Sequence, residues 1–98
     1  MAYEQGEVIV PVLNINGASP DDLLGAYQAA LDALREAITC MNMTAPHGRD
    51  FQTEPDSVLA EARDQHRLRV KAVAEVYRDI EGIAVAVQEQ KFARATWR

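Results

Sequence analysis

The sequence predicts a mainly α protein: a long antiparallel two-helix hairpin with a short N-terminal β arm, assembled as a homo-oligomer. Three observations predict it. Two long stretches carry apolar residues at alternating spacings of three and four, a segment with proline and glycine but no period joins them, and a β-branched run precedes them. At 98 residues, 48% hydrophobic and 26% charged, the chain is read as one domain, residues 1–98. A chain of this size buries roughly 60 to 70% of the surface its unfolded form exposes, so partner chains are expected to supply part of the burial.

The arm is placed at residues 7–16, where Val8, Ile9, Val10, Val12 and Ile15 favour extended backbone. Pro11 cannot donate to a ladder, which makes this an edge strand, and its expected partner is the same strand of another copy. Asn16 and Gly17 supply a turn. The first helix, residues 20–43, then starts on strong signals: Ser19 as N-cap, Pro20 at the first position, and Asp21 and Asp22 facing the positive end of the dipole. Its seam runs Leu24, Tyr27, Leu31, Leu34, Ile38, Met41, with Ala26, Ala30, Ala33 and Ala37 on the adjoining stripe, an arc wide enough for two neighbours.

Residues 44–56 hold Pro46, Gly48 and Pro55 and read as a loop. The second helix, residues 57–90, is capped by Asp56 or Ser57 and has the seam Leu59, Ala62, His66, Val70, Val73, Tyr77, Ile80, Ala84, Val87. It would be on the order of 50 Å long against roughly 36 Å for the first. The sequence therefore predicts an overhang, with Ile80 to Val87 apolar and uncovered in a monomer. Overhang, two-faced first helix and unpaired strand together predict a homo-oligomer. Residues 91–98 form a basic, aromatic tail, read either as the fraying end of the second helix or as a segment that docks on an acidic groove of a neighbouring subunit with Trp97 as anchor.

Charge is unevenly spread. Residues 1–62 hold ten acids and two bases, net −8, and residues 63–98 hold eight bases and five acids, net +3. The acidic total of −5 argues against binding duplex nucleic acid, but not against a small anion held locally. One cysteine, Cys40, excludes a disulfide scaffold or a Cys-based metal cluster, and neither a metal nor a cofactor is expected. With no apolar run of ~20 residues and no signal peptide in Met1 to Glu7, no membrane association is expected and the chain is placed in the cytoplasm. No nucleophile–base arrangement is present, so the chain is read as non-enzymatic.

The loop carries the candidate ligand chemistry. Helix connections in bundles take ~2 to 8 residues, and this one is longer. Arg49 is a fork for phosphate, Phe51 a stacking surface, Asp50 an acceptor for a ribose hydroxyl, and Gln52 or His47 a partner for a base edge. Arg63, Arg67 and Lys71 repeat at four-residue spacing on the second helix, and like charges so placed want an anionic answer. His66 sits in the seam where a hydrocarbon would be expected. The ligand-binding set is thus His47, Arg49, Asp50, Phe51, Gln52, Arg63, His66 and Arg67. An architectural reading stays open beside it: Pro46 stops the first helix, Gly48 supplies a positive φ, Arg49 pairs with an acid and Phe51 plugs the end of the hairpin.

The order of a strand, Asn16-Gly17-x-Ser19, a helix, Ala45-Pro46-x-Gly48-Arg49-Asp50-Phe51, and a helix bearing Gln65-His66-x-x-Arg69 resembles small helical-hairpin proteins of tailed bacteriophages and prophages. The resemblance covers residues 12 to 88 and is distinctive only in the loop. It implies a phage accessory protein in the bacterial host cell. In that context the expected function is sequestration of a nucleotide immune signal, a cyclic nucleotide or an ADP-ribose-type ligand, to counter host defence. The alternative is an interaction module or inhibitor that binds a host protein complex.

Overall fold

The computed structural model describes residue 3, residues 6–14 and residues 16–96. Two helices dominate it: α1 (Pro20–Asn42) and α2 (Asp56–Thr96), joined by a segment that contains one 3₁₀ turn, Gly48–Phe51. They form an antiparallel hairpin 68 Å long and 23 × 20 Å in cross-section.

The local signals act as expected at the start of α1. Ser19 is extended, and its side-chain oxygen accepts from the Asp22 amide at 3.1 Å, which satisfies one of the helix's free donors. The helix ends at Asn42, where the Met43 and Thr44 amides turn back to the Cys40 and Met41 carbonyls. α2 begins at Asp56, directly after Pro55, one residue earlier than the sequence suggests. It also runs six residues beyond the expected end at 90. The supposed tail is helical to Thr96, because nothing from Lys91 onward breaks a helix and Lys91 is tied to Asp21 of α1. Trp97 lies outside the described residues.

The expected overhang is absent, and the loop explains why. Residues 43–55 do not turn tightly. They run back along the first turns of α2, so that Gly48 sits over Leu59 and the Pro46 carbonyl faces Arg63. This shifts α1 toward the C-terminal end of α2. Met41 then stands near Val73, Arg35 reaches Tyr77 and Asp21 reaches Lys91. The stretch from Ile80 to Val87 is consequently covered, and Val87 is the most buried side chain described, with no exposed surface. Leu31 of α1, 6% exposed, is the other buried member of the seam.

The N-terminal segment is extended along α2 but forms no strand among the described residues. The Gln90 side chain clamps it from both sides of one amide: its Oε1 accepts from the Leu13 amide at 3.0 Å and its Nε2 donates to the Pro11 carbonyl at 2.8 Å. Farther up, the Tyr3 hydroxyl donates to Asp79. Val10, Pro11 and Leu13 are half-buried, while Ile9 and Val12 are 87% and 79% exposed. From Pro11 to Asn14 half-buried and exposed residues alternate, as in a strand, but no ladder pairs them among the described residues.

Two consequences are measurable. Leu31→Ala should lower unfolding free energy by about 2 to 4 kcal/mol in chemical denaturation, since nothing nearby can refill the seam. The bond to Asp79, with the Asp79 and Glu75 charges, raises the Tyr3 pKa above its ordinary 10.0. A value raised on folding means that the arm's tyrosine anchor holds fully below pH 10 and is lost as pH climbs through the raised value. Phenolate absorbance should therefore contain one late-titrating tyrosine that Tyr3→Phe removes. A titration curve unchanged by that variant would contradict this anchorage.

Candidate functional site

The structure brings the loop and the first turns of α2 together. His47 is exposed, and its Nδ1 accepts from the Arg49 amide at 3.1 Å, so it caps the 3₁₀ turn. Arg49, Asp50 and Gln52 are exposed, and Phe51 is half-buried. Gly48 does not have a positive φ; none of the described glycines does, and a methyl added there would meet Leu59 at an ordinary 3.9 Å. The 3₁₀ turn itself redirects the chain, with no left-handed residue required.

On α2, Arg63 directs its Nε at the Pro46 carbonyl from 3.5 Å, the long limit of a hydrogen bond, and so leans on the loop. Arg67 pairs with Asp64 of its own helix. His66 is half-buried, and its Nε2 is enclosed without a hydrogen-bond partner among the described residues. The eight residues therefore divide: His47, Arg63 and Arg67 are engaged in the architecture, Phe51 and His66 are half-buried, and Arg49, Asp50 and Gln52 face solvent.

Concavity occurs elsewhere. One open groove of about 780 Å³ lies between Tyr3, Met41 and the α2 stretch 65–75. Its floor is apolar, with Leu68, 64% exposed, at the centre, beside Ala72 and Val73. Arg69 and Lys71 stand at its rims, and neither makes a hydrogen bond or ion pair among the described residues. A second groove of about 460 Å³ lies between the helices at Leu24, Gln28 and Arg35 of α1 and Tyr77, Glu81 and Gln88 of α2. There Arg35 donates to the Tyr77 hydroxyl at 2.6 Å and lies 5.7 Å from the ring centre, and this hydrogen bond raises the pKa of an already permanent cation.

At 100° per residue, Asp79 and Gln90, which hold the arm, project from α2 nearly opposite to Tyr77, Glu81 and Gln88. The two grooves thus lie on opposite flanks of the hairpin. Leu68 and Ala72 share the angular face of Asp79 and Gln90, so the larger groove continues the track that the arm occupies. Sequence reasoning placed Arg69 and Gln65 only within a motif and missed Tyr3 and Gln90. No sequence signal marked Gln90, because its role depends on α2 lying beside Pro11 and Leu13.

Among the described residues, no helix is long and apolar enough to cross a membrane, and no group of three or more potential ligands could hold a metal ion. No family model matches the chain, and no curated protein or solved structure is similar to it.

If Phe51 braces the loop, Phe51→Ala should lower stability by about 1 to 3 kcal/mol, the loss for a half-buried ring. Arg49→Ala should leave the denaturation midpoint unchanged. Equal midpoints for both variants would show that the loop contributes nothing to the hairpin.

Proposed function

We propose that the chain is a non-catalytic binding protein that works as a homo-oligomer and sequesters a small anionic ligand. The observation that carries the oligomer is the ratio of surface to core. The chain exposes 7639 Å², where a compact monomer of 10.9 kDa exposes about 5600 Å². Its radius of gyration is 19.3 Å, where about 13 Å is typical of 98 residues. The excess, about 2000 Å² per chain, is more than the ~800 Å² that each partner contributes to a standard interface.

The N-terminal segment is part of the same reading. The amides of Glu7, Val8, Ile9, Val10 and Val12 have no hydrogen-bond partner among the described residues, and Ile9 and Val12 are almost bare. Pairing with another copy would turn this segment into the strand that its composition favours. The smaller groove suits a second copy as well, because it offers both signs of charge, Arg35 and Glu81, over Leu24 and Leu31.

The ligand reading is supported by the cations of the loop-end half, Arg49, Arg69 and Lys71, which have no acid paired to them among the described residues. With the resemblance to phage proteins, the ligand class that fits is a nucleotide signal of bacterial immunity. Light scattering at micromolar concentration should give a multiple of 10.9 kDa, and a monomer mass would refute the oligomer. Cyclic dinucleotides or ADP-ribose derivatives should raise the melting temperature and be recovered intact after denaturation. If none does and a host protein co-purifies in stoichiometric amount, the chain is an interaction module instead.

A further inference from the structure

We propose that the groove between Tyr3 and residues 65–75 of α2 is the seat of the anionic ligand, and that it takes a nucleotide carrying two separated phosphates. The inference rests on the ligand-binding reading above and locates it. A volume of about 780 Å³ lies within the ~300 to 1000 Å³ of small-molecule sites, and none of residues 44–56 lines this groove.

The groove's chemistry selects its occupant. Leu68 and Ala72 form an apolar floor, and the Tyr3 ring, tethered through its hydroxyl to Asp79, forms one wall. A base laid on that floor would cover Leu68 and meet the tyrosine ring. Arg69 and Lys71 project from α2 on either side of Leu68, about 160° apart around the helix axis. Two phosphates flanking a base can each meet one of the two cations without bending either side chain across Leu68. Gln65 adds a donor and an acceptor for a base edge. Glu75 closes the far end and is not a free carboxylate, so it limits how far a phosphate can slide toward Tyr3.

The sign of the charge also decides against a second copy at this groove. A two-fold contact centred on Leu68 would bring Arg69 and Lys71 toward their own duplicates, and Glu75, the one acid among the lining residues, already has an interaction of its own. The same face that repels a copy of itself attracts a dianion. In this respect it differs from the smaller groove, where Arg35 and Glu81 could exchange partners across a two-fold axis.

The test is calorimetric titration of the full chain with cyclic di-AMP, AMP and inorganic phosphate. Cyclic di-AMP should bind more tightly than AMP, and AMP more tightly than phosphate. Arg69→Gln and Lys71→Gln should each weaken cyclic di-AMP by about tenfold and the double variant by about a hundredfold, as for loss of one and two charge-assisted contacts. Tyr3→Ala should weaken both nucleotides and leave phosphate unaffected. Melting curves of each variant check that the hairpin is intact. Retention of wild-type affinity in the folded double variant overturns the inference, as does AMP binding as tightly as cyclic di-AMP. Affinity lost in Arg49→Ala but kept in the double variant moves the site to the loop and leaves the ligand reading standing. If no nucleotide binds the wild-type chain, the ligand reading itself fails.

Discussion

Two helices have a single seam, and a side chain can leave water completely only inside it. Everything else in this chain depends on that constraint. Leu31 and Val87 occupy the seam and are buried; the remaining apolar residues of both helices keep part of their surface in water. The arm is the chain's own response, since Val10, Pro11 and Leu13 cover one flank of α2. The other flank has no such cover. A hairpin so constructed retains a surface larger than its mass requires, and its length of 68 Å spreads that surface into stripes rather than a compact patch.

The register of the hairpin is set by the path of the loop, and this is where the sequence was least legible. The ends of α1 could be read directly, because Ser19, Pro20 and the acids after them act locally and the seam has one period throughout. α1 ends one residue short of the expected 43, whereas α2, at 41 residues, outruns the expected 57–90 at both ends. From unequal lengths the expected outcome was an overhang, which holds only if both helices start from the same end. Residues 43–55 carry no period, and a sequence without period does not reveal whether it turns or runs alongside its neighbour. Gly48 over Leu59 and Pro46 beside Arg63 show that it runs alongside. The difference in length between the helices is thereby taken up by the loop itself.

The arm illustrates a second limit. β-branched residues state a preference for extended backbone; whether the segment becomes a strand depends on a partner that a single chain does not contain. Gln90 could not be foreseen as the clamp, since its role depends on α2 reaching beside Pro11 and Leu13. For the candidate site, residue type was legible and assembly was not. Arginines at four-residue spacing suggested one anionic surface, yet each meets a different environment: Arg63 the loop carbonyl, Arg67 its neighbour Asp64, and Arg69, outside that stripe, the open groove.

Charge separates the two flanks by what they can accept. A surface that meets its own copy across a two-fold axis must carry both signs or none, and the groove at Arg35 and Glu81 meets that condition. A surface with two unpaired cations and one engaged carboxylate around an apolar floor is better answered by an amphipathic ion, which fits the groove at Arg69, Lys71 and Glu75. The arm connects the two flanks. Its start supplies Tyr3 to the cationic groove, and its middle carries Ile9 and Val12, bare toward solvent. A second copy that pairs with the middle of the arm would hold its start in place, reducing the freedom that a ligand must otherwise remove from Tyr3. Assembly and ligand binding would then reinforce each other through the arm, with no change in the helices.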